Sequence, residues 1–542
     1  MPNGGCRALR NLEITVTAPG HGEIATVKSI QIIRWLLRGV FHQVLDDESQ
    51  ELHQFSQKLF DKNGFLKDEH IEHDFHKGTG CWGDEVNKGT IHYIVEICVE
   101  EPFRRAGVGS WVLNQFILSS YVGSEDFLFA FPASLDHNTR AQFTQNKGRS
   151  IAFFRKNHFR RVGKTSYFAF SPNLNHPSRI IPVEQDAEGT DIFYRDGQEL
   201  HIRTAERDSL HHAIIASSST SATLQFGLSP EQMAMINPIE VAVGKAYGRD
   251  PSLIHSRNEN GMTPLHQAAA LYNVRAIRAL LDLSLGSDNA SSDLSRRDNT
   301  NGDTPLEACG RSMLESKEFR EAMLGGIDRW TGYPEEALQC AYELRKAMGE
   351  DVGLAAEYIR TRKWGCTCGQ CSGTWLSKRM CRRLHREAEM SFDMFRGEVP
   401  DYDSRGGFKA HIYDALRTLP LNVQRRMTRA TWMPYLVLYP AIAHLLETGT
   451  VPTSEAVLAL VGPLTKPFID IGGKVEYVLD LIIDIAESES ILHDENFDES
   501  MEELYKEGDK TGVEYHNMPK CANDLEFDLV RKKLNAPRCL AS

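Results

Sequence analysis

The sequence lacks any apolar run long enough to cross a bilayer, which takes about 20 residues in a helix. Its longest, residues 478–485, is broken by Asp480 and Asp484. Positive charge is also short: 61 basic residues against 74 acidic ones leave a formal charge of −13, so nothing draws the chain generally to phosphate backbones or anionic lipid. Membranes and nucleic acid are set aside as partners on that ground. No G-x-x-x-x-G-K-[ST] phosphate loop occurs, which excludes a Walker-type nucleotide site. Residues 1–10 hold Gly, Cys and Arg without a continuous apolar stretch, so no secretory signal is expected and the location expected is cytoplasmic or nuclear. Without export, the 11 cysteines are expected as thiols or metal ligands rather than as a disulfide framework.

What is present is ordinary globular composition, 41% hydrophobic and 25% charged over 542 residues, a length that one hydrophobic core does not fill. Ile30, Ile33, Leu36, Leu37, Val40 and Phe41 recur at helical spacing and predict an amphipathic helix over 27–45. A polar, Gly-rich loop follows over 61–88, then a strand at 91–99 and a Gly-rich turn at 104–110. The next helix would bury Val108, Val112, Leu113, Phe116 and Ile117. A short strand ends at Pro132, a helix closes at 156, and residues 159–170 alternate as a further strand. This is an α+β pattern. Its turn, Arg104-Arg105-Ala106-Gly107-Val108-Gly109-Ser110, sets spaced glycines before a helix start, where backbone N–H groups and the helix dipole favour an anion.

Arg104 to Gly109 resembles the R/Q-x-x-G-x-G/A signature of the GNAT acetyltransferase superfamily, and the strand before it and the helix after it follow that family's order. About forty residues on, Ala152-Phe153-Phe154-Arg155-Lys156-Asn157-His158-Phe159 is similar to the family's second motif. The resemblance covers residues 10–175 and implies a mixed sheet with flanking helices that binds acetyl-CoA. It implies that the strand before the turn splays from its neighbour, that Ile97, Cys98 and Val99 meet the pantetheine arm, and that Arg104 to Ser110 hold the pyrophosphate. The chemistry implied is attack of an amine on the thioester, with backbone N–H groups stabilising the oxyanion. Phe154 stands where the family often carries a proton-donating tyrosine. Glu96, an acid inside an apolar strand, is the candidate catalytic base, or else a rim carboxylate in water; alternation puts it on one face with Cys98 and His92.

Residues 173–196 are rich in Pro, Asn, Asp and Gly and read as a linker. Beyond it, Thr263-Pro264-Leu265-His266-Gln267-Ala268 matches the T-P-L-H-x-A signature of ankyrin repeats, and Thr304-Pro305-Leu306-Glu307-Ala308 repeats it 41 residues later. The polar segment 284–294 accounts for the excess over the usual period of about 33, and Leu210 to Ala213 reads as an earlier, degenerate copy. The resemblance implies a protein partner bound by stacked repeats.

Cys366, Cys368 and Cys371 set three thiols within one short Gly-flanked segment. Cys381 and His385 follow at i, i+4 spacing, on one face of a predicted helix, and could complete a tetrahedral zinc site. They fit equally an apolar stripe with Leu384 and Ala388, in which Cys381 simply packs. His70, His73 and His76 read as a solvated loop, since helical spacing would spread them. The basic residues from Arg360 to Arg386 read as a wet helix face. The chain thus divides into a GNAT-like domain (1–175), a linker (176–200), two or three ankyrin repeats (201–325), a helical region with the cysteines (326–395), and a helical region with a solvated acidic tail (396–542). Two functions follow from the resemblances: an acetyl-CoA-dependent N-acyltransferase with a protein-binding module, or a non-catalytic CoA-binding or ankyrin scaffold.

Overall fold

The computed structural model describes residues 8–37, 39–132, 140–189, 209–218, 238–284, 290–323, 327–397, 413–489, 497–536 and 538. The expectations for 190–200, 285–289 and 490–496 lie outside them. Two compact units divide the chain: 1–197 with 299–302, and 198–298 with 303–542. Among the described residues no single helix is long and apolar enough to cross a membrane.

The first unit is built on six strands in the order β1-β2-β3-β4-β6-β5. They are β1 (Leu9–Ala18), β2 (Gly22–Ile32), β3 (Ile91–Val99), β4 (Phe127–Ala130), β5 (Arg160–Arg161) and β6 (Phe168–Phe170). Every neighbouring pair is antiparallel except β3 and β4. Helix α3 (Val108–Ile117) makes the crossover that a parallel pair requires. Both faces are covered. Ile30, Ile32, Ile91 and Tyr93 look into one core with α1 (Phe41–Glu48) and α2 (Gln50–Leu59). Ala25, Val27 and Ile94 look into the other with Val112, Leu113 and Phe116 of α3. Phe153 and Phe154 of α4 (Arg140–Lys156) join this second core.

That two-sided burial corrects the helix expected over 27–45. Residues buried on both faces of a strand give a near-continuous apolar run that helical spacing also fits. Here residues 27–32 finish β2, one 3-10 turn follows at Arg34–Leu36, and an α-helix begins only at Phe41. The strand expected over 159–170 is instead a hairpin of β5 and β6, closed by the Val162 N–H on the Tyr167 carbonyl at 2.9 Å. The loop at 61–88 is packed, with Leu66, Cys81, Trp82 and Val86 buried. His70 and His76 are buried too, against the expectation of a solvated run. His70 meets the Lys58 carbonyl at 2.9 Å, and burial pulls its pKa down to about 4. Residues 176–189, expected as linker, fold onto this unit: His176 binds Glu85 at 3.0 Å and Arg155 binds Asp186 at 2.6 Å.

The second unit begins with three layers of paired helices: α5 (Ser209–Ala216) with α6 (Ile239–Arg249), α7 (Pro264–Ala270) with α8 (Val274–Ser284), and α9 (Pro305–Met323) with α10 (Glu335–Ala347). First helices stack on first helices and second on second. At each Thr-Pro turn the threonine caps the helix and the third residue caps back: His266 Nδ1 accepts from the Thr263 N–H at 3.2 Å, and Glu307 accepts from the Thr304 N–H at 2.8 Å. His266 also bridges layers, its Nε2 lying 3.0 Å from the carbonyls of Arg296 and Asp303.

Apart from Cys340 to Tyr358, which stay with the layers, a second hydrophobic core runs from Ile327 to Ala536. It takes in α11 (Lys378–Gly397), α12 (Leu438–Glu447), α13 (Ser454–Asp470), α14 (Val475–Glu489) and α17 (Phe527–Leu534). The division expected at 395/396 therefore cuts through a shared core. Within the expected acidic tail, α15 (Phe497–Lys506) and α16 (Lys510–His516) form a helical hairpin that buries Phe497, Met501 and Tyr515 while Glu502, Glu503 and Glu507 stay exposed.

Candidate functional site

In the first unit, β3 pairs with β4 only from Ile91 to Ile94. Glu96 to Val99 keep β2 on one side and, among the described residues, no strand on the other. The last half of β3 thus has one edge that no described strand pairs, and the glycine turn follows it in the chain. Gly107 caps α3 in the left-handed conformation at φ +86°, with Arg105 at +64° just before it. A non-glycine cap there would meet backbone strain. Trp111 is the first residue whose N–H finds the turn's own carbonyl, on Gly107 at 3.0 Å, so the N–H groups of Val108, Gly109 and Ser110 precede the helix ladder. Arg104 does not point its whole guanidinium outward, because Nε donates to the Val99 carbonyl at 2.7 Å. A Cβ placed on Gly109 would lie 3.3 Å from the Phe153 ring and 3.5 Å from Val99.

A bulge decides which β3 side chains face which way. Lys28 pairs with Glu96 while the next residue, Ser29, pairs with Ile94, leaving Val95 as the extra residue. The alternation shifts by one, so Ile97 and Val99 join Ile94 on the α3 side. Glu96 and Cys98 lie on the opposite face, with Tyr93 and away from His92. Strand alternation alone predicts the reverse. Glu96 is ion-paired with Lys28 at 3.1 Å, and this hydrogen bond raises the Lys28 pKa. His92 is fully buried and bonds Asp126 at 3.1 Å. Burial would raise the Asp126 pKa, but His92 and the N–H groups of Gly123 and Thr90 hold it below the usual value. That arrangement ties the start of β3 to the loop before β4. Phe154 is a core aromatic stacked edge-on against Phe159 at 5.1 Å. The ring that touches the turn is Phe153, which likewise has no ionisable proton.

In the second unit four sulfur atoms, from Cys366, Cys368, Cys371 and Cys521, lie within 4.8 Å of one another. Neighbouring separations are 3.8 Å, 3.9 Å and 3.5 Å. Four thiolates at about 2.3 Å from one zinc make a tetrahedron with edges of about 3.8 Å, whereas a disulfide needs about 2.05 Å. The group is a four-cysteine cluster compatible with zinc. Gly365 and Gly369, at φ +86° and +71°, fold the first three thiols into a knuckle. Its amides face the sulfurs: Gly369 N–H donates to Cys366 at 3.1 Å and Gln370 N–H to Cys368 at 3.4 Å. Such outer bonds orient thiolates and favour their charge.

Cys521 is set from the other side by its N–H on Asp524 at 2.9 Å and by the Ala522 N–H on Thr367 at 3.1 Å. Hydrogen bonds from Cys366 and Cys371 pull the Cys521 thiol far down, while those with Cys366 and Cys521 push Cys371 up.

Cys381 and His385 lie outside the group. Cys381 is buried in the large core, which pushes its thiol up to about 12, and His385 Nδ1 meets the Ala443 carbonyl at 3.0 Å. Helical spacing put them on one face, but that face is the apolar stripe. Cys521 carries no sequence signal of its own. The one hint was three clustered thiols that lack a fourth. Comparison of the chain with protein-family models, with curated proteins and with solved structures returns no match.

Proposed function

We propose that the first unit is an acyl-CoA-binding N-acyltransferase domain of the GNAT type, and that the paired helices of the second are an ankyrin array binding a protein partner. One observation carries the reading: β3 splits from β4 after Ile94, and the split ends at the Gly107 turn with its free helix-start amides. In this reading the backbone edge of Ile97, Cys98 and Val99, which no described strand pairs, takes the pantetheine amides once Arg104 releases the Val99 carbonyl, and the Val108 to Ser110 N–H groups take the pyrophosphate. The bound thioester supplies an acyl group activated toward an amine. Glu96 is the base, and it must leave or share Lys28 to accept a proton.

The expected result of calorimetric titration is acetyl-CoA binding that Ser110→Glu weakens by at least tenfold through repulsion of phosphate. Gly109→Glu is the poorer probe, because its Cβ would press on Phe153. Affinity unchanged in a folded Ser110→Glu protein sinks the reading. A non-catalytic CoA-binding version is favoured by the Lys28 pairing of Glu96 and by phenylalanine at both 153 and 154. Tight binding without transfer to any amine, unaltered by Phe153→Tyr, selects it.

The four-cysteine cluster is assigned one structural zinc, because all four positions are filled by protein thiols and none is left open for chemistry. Elemental analysis should find about one equivalent. Cys521→Ser should lower it and Cys381→Ser should not; a metal-free protein would remove the assignment.

A further inference from the structure

The chain between α14 and α17 leaves the large core and comes back to it. Ala486 near the end of α14 belongs to that core, as do Phe527, Leu529 and Val530 of α17, with Leu525 packed against it. The α15–α16 hairpin between them has an apolar cluster of its own, in which only Phe497, Met501 and Tyr515 are buried. So small a cluster does not hold two helices in place: units below about 40 residues generally need a metal, a disulfide or a partner.

Two kinds of tie among the described residues join the hairpin to the rest of the second unit. The first is a row of arginines on α11. Arg383, 4% exposed, pairs with Asp498 and lies 4.6 Å over the Phe497 ring; Tyr515 donates to the same carboxylate at 2.7 Å. Arg386 also lies over Phe497, at 5.3 Å, and Arg379 donates to the Met518 carbonyl at 3.1 Å. Charge matches across this contact, since residues 497–518 hold seven acidic side chains against Lys506 and Lys510. The expected wet face of α11 is thus partly covered. The second tie is Cys521, three residues after Met518, which meets thiols 150 residues earlier in the chain.

We propose that the four-thiol centre is a clasp: metal held by Cys366, Cys368, Cys371 and Cys521 keeps the acidic α15–α16 hairpin docked on the arginines of α11, and loss of the metal frees that hairpin while the large core stays folded. This rests on the zinc assignment above. Without a metal, S–H contacts are weak, and past the hairpin's far end the Ala522 N–H still donates to the Thr367 hydroxyl and the Asn523 amide to the Cys371 sulfur. Beyond these, the hairpin itself is held by the arginine row and by three buried apolar side chains, far fewer than the large core buries, so opening there is easier than opening the core.

Hydrogen exchange on the full-length protein, zinc-loaded and chelator-stripped, with metal content measured on both samples, tests the clasp. Amides of residues 497–518 should exchange at least tenfold faster after stripping, and those of α12 and α14 should not change. Cys521→Ser should reproduce this, and Arg383→Gln should loosen the hairpin without lowering zinc content, since Arg383 is no ligand. Zinc present but hairpin exchange unaltered by stripping overturns the clasp and leaves the zinc assignment standing. Exchange rising equally in α12 and α14 also overturns it, because the metal would then hold the whole body. A protein that takes up no zinc removes both.

Discussion

Glu387 sits inside α11 at 4% exposure, with one carboxylate oxygen taking the Ser391 hydroxyl at 2.7 Å and the other without a hydrogen-bond partner among the described residues. Burial, with Glu489 adding repulsion, pushes its pKa up to about 7. The folded state therefore holds this proton over a pH range where the unfolded chain has released it. The contribution to stability is complete below about pH 4.5 and is lost as pH rises toward 7. Glu387→Gln should accordingly stabilise the second unit by about 2–3 kcal/mol at pH 8 and by almost nothing near pH 4, as read from denaturant midpoints. A variant less stable than the parent at pH 8 would mean the carboxylate has a partner. Nothing in the sequence marks this residue. In a helix reading it is one more polar position on a charged face, and only the closure of α12 and α14 over it removes the water.

At the scale of elements, the Thr-Pro turns were legible and the strand faces were not. A T-P-L-H run determines its own local structure, because the proline fits the first helical turn and the threonine and histidine cap each other. The Thr263 N–H on Nδ1 makes that nitrogen an acceptor, so Nε2 carries the proton and donates to the next layer. Burial lowers the His266 pKa and keeps the ring neutral. His266→Leu should cost about 2–3 kcal/mol, since the carbonyls of Arg296 and Asp303 lose a buried donor. A stability change under about 0.5 kcal/mol would separate the layers from this bridge. For β3 the alternation was read in full, yet Glu96 faces away from His92. One bulged residue, Val95, reverses every side chain after it, and no residue type announces a bulge. The run at 27–45 failed for a related reason, because strand burial on two faces erases the two-residue period.

At the scale of the molecule, each unit has hydrophobic cores of its own, so they should unfold as separate cooperative steps. Ligands then act selectively, since each stabilises only what binds it. Calorimetry should show acetyl-CoA raising the transition of the first unit, and chelation leaving the main transition of the second in place while the hairpin melts below it. A single transition moved by both would contradict independent units. The sequence by itself determined whatever depends on neighbours along the chain: the strand–glycine turn–helix order, the capped Thr-Pro helices, and the three-thiol knuckle with its left-handed glycines. Long-range pairing was decided by the tertiary structure alone. Cys521 becomes the fourth thiol because α17 returns to the core beside the knuckle, and Cys381 does not because its helix face is spent on packing. Metal ligands are selected by convergence in space, and spacing reports convergence only within a turn or a single helix.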